Sequence, residues 1–87
     1  MKDYQNLNIT LEKIEEIIRK FVSEANGKYE KEEKPNKLCQ FKIIIPGKKE
    51  AMLNIYETKK GITINPKVGA NKELSIKIAN LITSKAK

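Results

Sequence analysis

The chain has 87 residues, with 18 Lys and Arg against 11 Asp and Glu and no His, for a formal charge of +7. At 39% hydrophobic and 33% charged residues, it has enough apolar material for one core and too little length for two. One Cys and no His exclude a zinc quartet and a disulfide framework, and remove the side chain that most often moves protons near pH 7. Metal and triad chemistry are therefore not expected, and nothing in the residues calls for a cofactor or a small-molecule substrate. The longest apolar runs, 43–45 and 51–53, are far short of the ~20 residues of a membrane span. The first five residues contain an early acid and no apolar stretch, so they do not read as a secretory signal. The expectation is a single domain over residues 1–87, cytoplasmic and without a membrane partner.

The first strong periodicity is Ile14, Ile17, Ile18, Phe21, Val22 and Ala25, an i, i+3, i+4, i+7 series that predicts an amphipathic helix over 10–26. Thr10 caps its start, Glu12, Glu15 and Glu16 suit the positive end of its dipole, and Gly27 supplies a left-handed stop. Residues 28–37 are charged, with Tyr29 as their apolar member, and read either as a short edge strand or as a loop closed by a Pro35–Asn36 turn.

Residues 38–45 have strand composition and end at Pro46 and Gly47. A strand over 51–56 follows, and the turn at Thr58 to Gly61 closes a hairpin onto 62–65, where Pro66 should stop the ladder. A second helix opens after Gly69 with Asn71 as its cap, and its core stripe is Leu74, Ile78, Leu81 and Ile82. Residues 4–8 suit one further edge strand that points Leu7 and Ile9 inward.

The order is then β-α-β-β-β-β-α, an α+β fold with two helices on one face of a curved antiparallel sheet of four to five strands. Alternation assigns Phe41, Ile43, Ile45, Leu53, Ile55, Ile62 and Ile64 to the helix-covered side. The opposite parity, Gln40, Lys42, Ile44, Met52, Asn54, Tyr56, Thr63, Asn65 and Lys67, forms a polar, amide-rich open face.

Residues 4–8 (Tyr-Gln-Asn-Leu-Asn), 51–56, 61–64 (Gly-Ile-Thr-Ile) and 69–71, with Leu74 and Ala79 beyond, resemble the N-terminal domain of the RNase LS toxins, RnlA and LsoA. The resemblance spans nearly the whole chain. It implies a TATA-binding-protein-like half-saddle, a fold shared with other such modules, including the one preceding ribonuclease HIII. It also implies that RNA cleavage belongs to a separate HEPN-like C-terminal domain, the one the antitoxin binds, so no catalytic residue carries over. The resemblance fits a domain of a larger toxin and a free-standing relative equally.

Two classes of function follow. The first is a non-catalytic nucleic-acid-binding module for RNA or DNA, using Lys42, Asn54, Tyr56, Thr63 and Asn65 on the open face. Its flanks are the Lys48–Lys49 and Lys59–Lys60 hairpin tips, set along one sheet edge to straddle a phosphate backbone. The charge argument is tempered because seventeen of the eighteen cations are Lys, Arg19 being the exception, whereas specific readout favours Arg. The second class is a protein-interaction or oligomerisation module of a toxin–antitoxin system. Here Ile76, Ala79 and Thr83, about 160° from the core stripe on a helical wheel, form a flat strip for a further toxin domain or a second copy.

The remaining features read as structural. Cys39 is a small buried hydrophobe, Glu32 and Glu33 lie in a solvated charge run, and the Gly47 and Gly61 turns open no helix that would cradle phosphate. Gly69-Ala70-Asn71 reads as a helix cap.

Overall fold

The computed structural model describes residues 4–35 and 37–86. Asn36 of the expected Pro35–Asn36 turn, the Lys67 side chain and the first three residues of the N-terminal reading lie outside them. The elements are α1 (Leu11–Glu24), β1 (Lys28–Lys34), β2 (Leu38–Ile44), β3 (Ala51–Thr58), β4 (Gly61–Gly69) and α2 (Lys72–Lys85). The four strands pair antiparallel in chain order, β1-β2-β3-β4.

Helix α1 starts as its sequence dictates, with the Thr10 hydroxyl accepting from the Lys13 amide at 3.1 Å. It buries Ile14, Ile17, Ile18 and Val22. Its stop differs from expectation: Asn26, at φ 58°, is the left-handed residue. The amides of Asn26 and Gly27 then donate to the carbonyls of Ser23 and Val22 at 3.3 and 2.7 Å, closing a Schellman motif. Gly27 is required for a different reason, since a Cβ there would collide with the Ile44 carbonyl and lie 2.7 Å from Ile45 Cδ1.

The charged segment after α1 is a strand. Its register sets Tyr29 opposite Ile43 on the helix side and Glu30 opposite Lys42 on the other. Tyr29 packs against Phe41, with ring centroids 6.1 Å apart. At the far edge, Pro66 does not stop the ladder. Between the pairs Asn54–Asn65 and Met52–Val68, β4 carries one extra residue, and this bulge takes the proline through to Gly69. An edge strand tolerates the missing amide.

The expected fifth strand is reduced to one bridge, Leu7 with Ile62. Leu7 and Ile62 exchange amide–carbonyl hydrogen bonds of 2.8 and 3.0 Å, and the Ile64 amide donates to the Tyr4 carbonyl at 2.8 Å. Asn6, at φ 55°, turns the chain out of strand geometry. The segment still covers part of the β4 edge. Gly61, at φ 134°, allows that approach, because a Cβ there would stand 2.5 Å from the Leu7 carbonyl oxygen.

Helix α2 is capped by Asn71, whose side chain accepts from the Leu74 amide at 3.0 Å. One hydrophobic cluster joins both helices to the inward parity of β2, β3 and β4.

Candidate nucleic-acid interface

Strand alternation places Lys42 on β2, Asn54 and Tyr56 on β3, and Thr63 and Asn65 on β4, all on the face the helices leave open. Gln40 and Asn54 are cross-strand partners, and the Gln40 amide donates to Asn54 Oδ1 at 2.9 Å. Tyr56, opposite Thr63, is the one exposed large hydrophobic side chain among the described residues, at 36%. Amide and hydroxyl side chains beside a partly exposed aromatic ring are the group types that meet the edge and the plane of a nucleobase.

Two acids share this face and escape the sequence reading. Glu30 pairs with Lys42 and Glu32 with Gln40, so both point the same way as the candidate residues. The Lys42 ammonium lies 3.9 Å from Glu30, and Lys34 lies 3.3 Å from Glu32. The β1–β2 half is therefore close to charge-balanced, and Lys42 is not a free phosphate ligand. The inward parity of Tyr29 is the available signal, because it assigns Glu30 and Glu32 to the open side.

The lysine tips do not lie along one sheet edge. Lys48 and Lys49 precede β3 and Lys59 and Lys60 follow it, so the tips sit at opposite ends of an eight-residue strand. At a rise of about 3.3 Å per residue they are about 26 Å apart. Each tip is held. Asn71 donates through its side chain to the Lys49 carbonyl and through its amide to the Glu50 carbonyl, both at 3.1 Å. At the other tip the Thr58 hydroxyl donates to the Gly61 carbonyl at 3.0 Å and accepts from the Lys60 amide at 3.2 Å.

The strip of Ile76, Ala79 and Thr83 is only partly at the surface. Ala79 is fully buried and Ile76 and Thr83 are half-buried, with the Thr83 hydroxyl donating to the Ala79 carbonyl at 2.8 Å. The buried arc of α2 is Leu74, Ser75, Ile78, Ala79 and Ile82, rotated from the predicted stripe toward its small residues. Leu81, expected in the core, is half-buried instead, lining a groove of about 420 Å³ with Ile17 and Phe21 of α1.

On the helix side of the sheet, the Tyr29 hydroxyl donates to Glu15 at 2.8 Å and Lys31 lies 3.2 Å from the same carboxylate. The Tyr29 hydrogen bond first, and Lys31 with it, hold the Glu15 carboxyl below its usual range. Burial pushes the Cys39 thiol up, which disfavours the nucleophilic thiolate. Among the described residues no three His, Cys, Asp or Glu side chains group as metal ligands, and no helix is long and apolar enough to cross a membrane.

The family model described as RNase LS, bacterial toxin N-terminal, matches residues 4–82. No curated protein matches the chain.

Proposed function

Because the chain belongs to the N-terminal domain family of the RNase LS bacterial toxins, we propose that it is a non-catalytic module that binds nucleic acid weakly through the open face of its sheet. The observation that carries this reading is Tyr56, exposed among Asn54, Thr63 and Asn65 on a helix-free face with lysine tips at both ends of its strand. The meander and its two helices are read as a half-saddle of the TATA-binding-protein kind, working in the cytoplasm beside a separate catalytic domain.

Binding of this kind is sequence-tolerant. It neutralises about three to five phosphates through Lys, with a matching slope of log affinity against log salt. Titration of labelled RNA and duplex DNA at two salt concentrations tests it. Micromolar affinity that fades with salt supports the reading, and no binding of either at low salt overturns it.

The alternative is an interaction or oligomerisation module. Its support is the groove floored by Ile17, Phe21 and Leu81 rather than the Ile76 strip, which has lost Ala79 to the core. A mass that rises with concentration in light scattering would favour it.

A further inference from the structure

We infer that the β4 side of the open face is a pocket for one unpaired nucleobase stacked on Tyr56, which makes the preferred ligand a single strand rather than a duplex. The inference rests on the nucleic-acid reading above and narrows it.

A cavity of about 360 Å³ opens beside Tyr56, lined also by Tyr4, Gln5, Thr63, Asn65 and Pro66. That is at the small end of ligand sites, which run from roughly 300 to 1,000 Å³, and suits one planar ring system. Its second wall is built rather than accidental. The N-terminal segment is fixed to β4 by the hydrogen bonds of Leu7 and Tyr4, and the Tyr4 hydroxyl donates to Asn80 of α2 at 2.6 Å. The pocket thus offers an aromatic plane together with the amide and hydroxyl groups of Gln5 and Thr63 that meet a base edge.

Charge selects the single strand. Two strands carry phosphates on both flanks of the bases, and on the β1–β2 flank the second set would find no free cation among the described residues, because Lys42 and Lys34 are already paired with Glu30 and Glu32. The β3–β4 flank carries the Lys59–Lys60 tip, a few residues past Tyr56. At about 3.3 Å per residue, that places a cation within reach of the phosphates next to a base stacked on Tyr56. The span of about 26 Å to the Lys48–Lys49 tip is within reach of the few nucleotides that small single-strand platforms cover.

The chain has no Trp, so Tyr56→Trp installs one indole emitter at the pocket. The test titrates this variant, wild type and Tyr56→Leu with a fluorescein-labelled RNA of about 12 nucleotides. The same sequence annealed as a duplex is titrated in parallel at low salt. The expected result is quenching of the indole emission of Tyr56→Trp by the single strand, at least about tenfold tighter binding of single strand than duplex, and about tenfold weakening by Tyr56→Leu. Circular dichroism confirms that each variant is folded. Equal or tighter duplex binding, or single-strand binding without quenching, overturns this inference and leaves the broader nucleic-acid reading standing. Failure of both ligands to bind wild type removes that reading and this one with it.

Discussion

The hydroxyl of Ser75 accepts a hydrogen bond from the Met52 amide at 3.1 Å and donates one to the Met52 carbonyl at 2.9 Å. Ser75 is fully buried on α2, and Met52 sits at the β3 end of the bulge that admits Pro66. The side chain therefore supplies the backbone pairing that β4 withdraws there, and it pins the helix to the sheet beneath the open face.

Replacing Ser75 with Ala leaves the part-buried amide and carbonyl of Met52 without that partner. The expected cost is about 1–3 kcal/mol. Urea unfolding should show a lower midpoint with an unchanged m-value.

Gly61→Ala tests the edge segment. The added Cβ meets the Leu7 carbonyl in a backbone conformation that L side chains rarely adopt. Hydrogen exchange should accelerate at the amides of Ile62 and Ile64, which donate to Leu7 and Tyr4, while the Ile14 and Phe41 amides stay protected.

The Glu15 carboxyl is held below its usual range, chiefly by Tyr29, so its folded pKa lies under the unfolded value. Its contribution to stability is complete above the unfolded pKa of about 4.3 and is lost as pH falls through the folded one. Tyr29→Phe removes the largest cause. The stability difference between wild type and Tyr29→Phe should therefore be constant from about pH 6 to 7 and shrink below about pH 4.3 in acid titration of thermal midpoints.

On α2, Ala79 is fully buried whereas Ile76, expected on the same strip, is half-buried. Ala79→Lys buries a charge and should abolish cooperative unfolding, at a cost of roughly 3 kcal/mol or more. Ile76→Lys keeps a folded protein, because that side chain is only half-buried and its stem can carry the ammonium to water. Near-ultraviolet circular dichroism and thermal melts distinguish the two.

Helix α1 is legible in the sequence because six apolar positions repeat at helical spacing and Thr10 precedes them. The inward set on β2, β3 and β4 is legible because alternation there is strict. Strand β1 is ambiguous because as an edge strand it meets solvent on most sides, and Tyr29 is the one apolar residue that betrays its register. The stop of α1 is easily misassigned because Asn26 and Gly27 are adjacent and glycine is the usual left-handed residue. Here the left-handed residue is Asn26, while Gly27 is needed for a long-range contact with the end of β2 that no local signal reveals. The rotation of α2 is hidden for a related reason. Ser75 and Ala79 score poorly as core residues, yet small side chains are what a helix needs to approach a sheet closely. Of the candidate site, the face is readable, whereas the acids that share it depend on the pairing of β1.

Whether nucleic acid meets the open sheet face is tested most directly by a two-dimensional amide and side-chain NMR titration of the labelled domain with a single-stranded RNA of about 12 nucleotides at low salt. The largest shifts are expected at Asn54, Tyr56, Thr63 and Asn65 and at the Lys59–Lys60 tip, with Glu30, Glu32 and the outer faces of both helices little changed. Shifts centred on Lys13, Lys20 and Lys85 in the groove between the helices, or none at all, would contradict binding through the sheet.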